Sequence, residues 1–158
     1  MKNTIIIKRN ELQQQINLRN HYMGDAAKRR DADADTIQSS NDDEELLLEF
    51  THRACNELIA AVALRFPSIA YTIDESEITF TFETNENIRA HLLPMLKQAI
   101  TDYLTNEVIL HWLLLRQPSM AQTNISLRSS LYNNVQFTFA KLYNTHRPRR
   151  RCTDLAGI

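Results

Sequence analysis

Apolar residues recur every three or four positions along most of this chain, which is the spacing of one face of an α-helix. The pattern predicts four helices, over about residues 10–30, 41–66, 88–116 and 118–142. Pro94 falls within the third apolar stripe. It therefore either kinks that helix or marks its start, because proline has no N–H and clashes with the preceding turn.

Two short runs follow a different rule, the strict alternation of a β-strand. Apolar and polar residues alternate over 69–73 and again over 78–82, and residues 74–77, three of them acidic, supply the turn between them. Since a two-stranded hairpin is only marginally stable in water, we expect this one to lie on the helices. The β-branched run at 4–7 is a candidate third strand, and the edge of the hairpin could take either this run or a strand of a neighbouring chain.

The fold predicted from these elements is mostly α: a helical bundle of about four helices with one β-hairpin and extended N- and C-terminal arms. A chain of 158 residues can bury a core and fits one domain. We place that domain at residues 1–145, with the hairpin at 69–82, and a basic C-terminal tail at 146–158. The presence of only two glycines argues against Gly-rich phosphate loops and the tight hairpins of a β-sandwich.

The formal net charge is close to zero, at −1, but the charges are unevenly placed. Residues 31–49 contain eight acidic residues and no lysine or arginine, whereas four arginines lie within 147–151. Two interpretations are open. One is a solvated acidic loop with an unstructured basic tail. The other is an acidic surface on one protomer that contacts the basic end of another, a heterologous contact that closes a ring or grows a filament.

Metal-ligand side chains occur without the spacing that a metal site needs. Asp31, Asp33 and Asp35 match the start of a calcium loop, but the glycine and the final glutamate of such a loop are missing. His52 and Cys55 are three residues apart on one helix face, yet no second pair follows at zinc-site spacing. We predict that Cys55 is a small core residue.

Catalytic patterns are missing from the sequence as well. It contains no G-x-S-x-G elbow, no Walker loop and no dinucleotide fingerprint. His91 and His111 lie in the third predicted helix. We predict that each is a partly buried, hydrogen-bonded histidine and not a metal ligand. We predict no enzymatic activity, no catalytic residue, no cofactor and no bound metal.

Three segments and the order of the elements resemble a known group of proteins. The segments are H-Y-M-G-D-A-A-K-R at 21–29, D-D-E-E-L-L-L at 42–48 and D-Y-L-T-N-E-V-I-L-H-W-L-L at 102–114. With the hairpin, they resemble small proteins from the morphogenesis clusters of tailed phages and prophages. The layout over most of 10–145 is similar to that of head–tail connector (adaptor) proteins. The resemblance implies a structural virion protein, one subunit of a dodecameric ring that joins the portal to the tail and lets DNA pass.

The resemblance also implies a location, partners and sites. The location is the virion, assembled in the host cytoplasm. The partners are other copies of the chain, the portal and the tail proteins, with non-specific contact to DNA. Three groups of partner-binding residues are implied. An arm that adds to the edge of a neighbour's hairpin contains Ile5, Ile6 and Ile7. An acidic group that faces a basic surface contains Asp42, Asp43, Glu44 and Glu45, and a basic group that reaches toward the portal or DNA contains Arg147, Arg149, Arg150 and Arg151.

The arginine cluster supports an alternative function, that of a nucleic-acid-binding accessory protein. Four arginines within five residues bind phosphates by counterion release, without sequence specificity. We expect no membrane partner, because the longest apolar stretch, 108–115, is too short to span a bilayer.

Overall fold

The computed structural model describes residues 1–28, 43–84 and 88–142. Within them the fold is mostly α, as predicted, with four α-helices and one small antiparallel sheet that contains the hairpin. The helices are α1 (Arg9–Lys28), α2 (Glu44–Val62), α3 (Leu93–Arg116) and α4 (Gln122–Leu142), and the strands are β1 (Lys2–Lys8), β2 (Ala70–Ile73) and β3 (Glu77–Glu83). The predicted basic tail at 146–158 lies outside the described residues.

The hairpin lies where the sequence predicts it. Strands β2 and β3 are antiparallel, with Tyr71 opposite Phe80. The turn is closed by a hydrogen bond from the backbone N–H of Asp74 to the carbonyl oxygen of Glu77, at 2.9 Å. The inward residues of β3 are buried, so the hairpin has the supporting surface that its length requires.

Strand β1 pairs with the hairpin of its own chain. The strand order is β1–β3–β2, and Ile5 lies opposite Phe80 while Ile7 lies opposite Ile78. These four side chains are buried, because alternate residues of a strand point to one face, here the face on the helices. The N-terminal segment is therefore a strand of the sheet and not an extended arm. Of the two partners that the sequence left open for this segment, the structure assigns the one within the chain.

Helix α2 ends four residues before the position predicted for it. The helix stops at Val62, and the chain turns through the next residues to bury Phe66 against Phe139, with ring centroids 4.9 Å apart. The chain continues past Val62 in a turn, with hydrogen bonds from the backbone N–H groups of Arg65 and Phe66 to the carbonyl oxygen of Val62, both at 3.0 Å. Pro67 keeps the helix from resuming, since the ring of a proline disfavours helical geometry at the residue before it.

Helix α3 is the central helix, in contact with α1, α2, α4 and β1. Nearly every residue from 99 to 113 is buried. Pro94 lies in its first turn, so this proline marks the start of the helix and does not kink it. Helices α3 and α4 form an antiparallel pair, in which the side chains of Asn106 and Asn124 are joined by a 3.0 Å hydrogen bond in the core.

Cys55 is a core residue, as predicted, and we expect its thiol to be unreactive in the folded protein. It is fully buried in α2, and burial raises its pKa to about 12, so the reactive thiolate form is scarce at neutral pH. In a Cys152→Ser variant, a colorimetric thiol reagent should detect no thiol until denaturant is added, and then one per chain. The further variant Cys55→Ser should give no signal in either condition. Rapid labelling of the folded Cys152→Ser protein would contradict this burial.

Candidate functional site

The strongest candidate site is a cluster of charged side chains between three helices. Glu57 comes from α2, Glu107 and His111 come from α3, and Arg128 comes from α4. Because Glu107 and His111 are four residues apart, they lie on the same face of α3. Glu107 is fully buried, which is rare for a carboxylate unless a charge partner is near.

Arg128 bridges the two carboxylates. Its Nη2 lies 2.7 Å from Glu57 Oε2, and its Nε lies 3.0 Å from Glu107 Oε1. Arg53 adds a weaker contact from within α2, with Nε 3.5 Å from Glu57 Oε1. One guanidinium therefore ties α4 to both α2 and α3, with two carboxylates balanced by two arginines.

His111 is beside this ion pair but outside hydrogen-bond distance. Its Nε2 lies 3.8 Å from Glu57 Oε1 and 4.0 Å from Glu107 Oε2, and the ring of Phe50 lies near it with centroids 5.7 Å apart. The Nε2 atom is buried and has no hydrogen-bond partner in the described part of the chain. The sequence predicted a hydrogen-bonded core histidine; His111 is largely buried, but this nitrogen lacks the expected bond.

The environment shifts the protonation of both α3 side chains. Burial raises the pKa of Glu107 above its ordinary range; Arg128 opposes this shift and the neighbouring carboxylate of Glu57 reinforces it. Burial lowers the pKa of His111, although Glu57 acts in the opposite direction. The imidazole is therefore neutral at neutral pH, and a neutral imidazole carries a lone pair on one ring nitrogen.

The cluster is reached from one side of the molecule. A surface depression of about 260 Å³ is lined by Glu57, Tyr103, Arg128 and Tyr132, together with Ala61 and Ser129. The side chain of Arg128 is 45% exposed, whereas that of Glu107 is 0% exposed. Arg128 thus contacts both the depression and the buried carboxylate.

The isoleucines predicted to bind partners divide between two faces of β1. Ile5 and Ile7 belong to the core, whereas Ile6 is 44% exposed on the opposite face. Thr4, Ile5 and Ile6 line an open groove of about 470 Å³ with residues from the start of α3, which are Leu93, Pro94 and Lys97.

Three of the four acidic residues predicted to bind partners lie at the start of α2. Asp43 forms an ion pair within the chain, with Oδ1 3.0 Å from Nη2 of Arg116. Glu44 and Glu45 follow it in the first turn and are exposed. Asp42 and the four arginines Arg147, Arg149, Arg150 and Arg151 lie outside the described residues. Those residues predicted to bind partners that the structure describes are thus on β1 and at the start of α2, and none of them belongs to the buried cluster.

The buried cluster is not predicted from the sequence. Glu57, Glu107 and Arg128 carry no motif, and they meet only because three helices pack together. One signal was present: Glu107 falls within the apolar stripe of α3, between Tyr103 and Leu110, with a histidine one turn later. A carboxylate in a stripe that is otherwise core indicates a charged partner on a facing helix.

Comparison of the chain with protein-family models, with curated proteins and with solved structures finds no match. Among the helices of the described ranges, none combines the length and the apolar character needed to cross a bilayer.

Proposed function

We propose that the chain is a structural virion subunit, a head–tail connector (adaptor) that forms a ring between portal and tail and lets DNA pass. In this role the protein binds neighbouring subunits and catalyses no reaction. The observation that carries the proposal is the outer edge of β1, a seven-residue strand at the border of the sheet, with which no other strand of the described residues pairs. Such an edge presents unpaired backbone N–H and C=O groups to another chain.

The surroundings of β1 fit the addition of a strand. Ile6 is exposed beside the groove formed with Leu93, Pro94 and Lys97. When a strand adds to a sheet edge, main-chain hydrogen bonds supply affinity and side-chain pockets supply specificity. We infer that an extended segment of the neighbouring subunit occupies this groove, with Ile6 as its apolar contact.

Charge indicates which surface of the neighbour comes close. Lys2 and Lys8 stand exposed at the two ends of β1, and Glu44 and Glu45 are exposed at the start of α2. Exposed lysines at the ends of this strand on one copy and an acidic helix start on the next are complementary, with Lys8 also 3.9 Å from Glu11 of its own chain. Because the two surfaces differ, their contact is heterologous, and a heterologous contact closes a ring when the rotation between copies permits.

The four arginines of 147–151 take a second role in this proposal, contacting the portal or the DNA that passes through the ring. The alternative function, a nucleic-acid-binding accessory protein, depends on the same arginines. It differs in its expected behaviour, which is salt-sensitive DNA binding by a chain that forms no ring.

The oligomeric state tests the proposal. We expect the purified full-length chain to form a ring, alone or on its cognate portal protein, by size-exclusion chromatography with light scattering. Ile6→Asp should abolish the ring, because it places a charge in the strand groove. Leu64→Asp is the matched control: Leu64 is 93% exposed in the turn after α2, and its replacement should leave the ring intact.

The outcomes separate the two functions. A chain that stays monomeric with and without the portal contradicts the connector role, and DNA binding by that monomer supports the accessory role. Equal loss of assembly in Ile6→Asp and Leu64→Asp contradicts the strand groove as the contact.

A further inference from the structure

Three atoms of metal-ligand type converge inside the buried cluster. They are one carboxylate oxygen each from Glu57 and Glu107 and Nε2 of His111, and all lie within 4.8 Å of one another. From His111 Nε2 to the two carboxylates the separations are 3.8 Å for Glu57 Oε1 and 4.0 Å for Glu107 Oε2. Ligands that share one tetrahedral Zn²⁺ at about 2.0–2.1 Å lie about 3.3–3.4 Å apart. A small rotation of each side chain therefore suffices to close on one ion.

A second and independent observation is the lack of hydrogen bonds to these atoms. Glu107 Oε2, on a fully buried residue, and Nε2 of His111 have no hydrogen-bond partner within the described part of the chain. Arg128 forms an ion pair with Glu107 Oε1, but Oε2 faces His111 at 4.0 Å with no donor between them. Buried polar atoms in native proteins nearly always have partners, so each exception needs an explanation. A cation between these two atoms would satisfy both.

Arg128 holds the place that a metal ion would take beside the two carboxylates, and its exposure allows an ion to displace it. It supplies one positive charge to the two carboxylates, and its side chain is 45% exposed. The depression that it lines, about 260 Å³ in volume, gives the guanidinium room to turn outward and gives an ion a way in. A divalent cation would neutralise both carboxylates and release Arg128 to the surface.

We propose that Glu57, Glu107 and His111 form a binding site for a divalent transition-metal cation, with Zn²⁺ as the best match, and that Arg128 closes this site in the metal-free chain. Two carboxylates and one imidazole suit Zn²⁺, whereas Mg²⁺ and Ca²⁺ prefer oxygen ligands alone. The ion would join α2 to α3 and leave its fourth position to water. A metal site here is contrary to the prediction from the sequence that no metal is bound, and it does not depend on the proposed function.

Zinc titration by calorimetry tests the site on the full-length chain. Every protein carries Cys152→Ser, so that the Cys152 thiol does not compete for zinc. We expect one Zn²⁺ per chain, a rise in melting temperature with zinc, and no comparable effect of Mg²⁺. Glu107→Gln and His111→Ala should each weaken zinc binding by at least about tenfold. His91→Ala is the matched control. His91 lies in the short segment before α3, is exposed and does not belong to the cluster, so this variant should bind zinc as the parent does.

Arg128→Met distinguishes a metal site from a plain ion-pair network. Loss of the competing cation should strengthen zinc binding by about tenfold or more. The Glu57→Gln variant, changed at a partly exposed position, keeps the test valid should Glu107→Gln fail to fold, and it should weaken binding. The proposal is overturned by an absence of stoichiometric binding to the parent, by zinc binding that survives His111→Ala and Glu57→Gln, or by an unchanged affinity in Arg128→Met.

Discussion

Ile7→Ala should lower the free energy of unfolding by about 3 kcal/mol, the middle of the range for truncating a buried isoleucine. Ile7 is 2% exposed and lies opposite Ile78 in the sheet. The loss has two parts, the transfer of the removed methyl and methylene groups and the cavity left under β1. Urea denaturation followed by circular dichroism measures it.

The neighbouring residue supplies the control for this prediction. Ile6 is on the same strand but 44% exposed, so Ile6→Ala should change the free energy of unfolding by no more than about 0.5 kcal/mol. The contrast depends on β1 being a strand of its own chain's sheet. If the two variants have equal stability, β1 is not packed on the core of the isolated protein, and the strand requires a neighbouring chain to become ordered.

The helices could be predicted because the local spacing of apolar residues determines where they form. Each apolar stripe is long enough to cover one face of a helix, and Pro67 and Pro94 restrict the places where a helix ends or begins. The hairpin followed from strict alternation around an acidic turn. These signals lie within a few residues of the structure that they specify.

The partner of β1 could not be predicted, because alternation is satisfied by any antiparallel edge. Ile5 and Ile7 would bury equally well on a neighbour's hairpin. The distinction comes from tertiary structure: β1 runs directly into α1, and α1 packs on α3, the helix beneath the sheet. With its C-terminal end fixed in this way, the strand reaches the β3 edge of its own chain without the entropy cost of association.

The buried cluster could not be predicted from the sequence either, because its members come together only in the tertiary structure. Arg128 and Glu57 are 71 residues apart in the chain, and their contact exists only after α2, α3 and α4 have packed. A lone arginine on a polar helix face resembles any solvated residue. Of these residues only Glu107 indicated the cluster, because a carboxylate within a stripe of core residues requires a counter-charge.

Arg128→Met should destabilise the metal-free protein by about 2–3 kcal/mol, measured by urea denaturation in the presence of a chelator. Breaking a fully buried ion pair costs about 3–5 kcal/mol. The figure is lower here because the Arg128 side chain is 45% exposed. Methionine keeps much of the aliphatic stem, so the loss reflects the charge more than the packing. Arg53→Met is the control: Arg53 is 64% exposed at 3.5 Å from Glu57, and its removal should cost less than about 1 kcal/mol.

The double variant Arg128→Met, Glu107→Gln isolates the contact between the two residues. Without the buried carboxylate, loss of the guanidinium leaves no uncompensated charge on α3, so the double variant should be more stable than the sum of the single changes by about 1–2 kcal/mol. Additive effects would show that Arg128 acts on Glu57 alone and that Glu107 is stabilised in its neutral form. In that case Glu107 needs no guanidinium to remain buried, and Arg128 is not the group that closes the cluster.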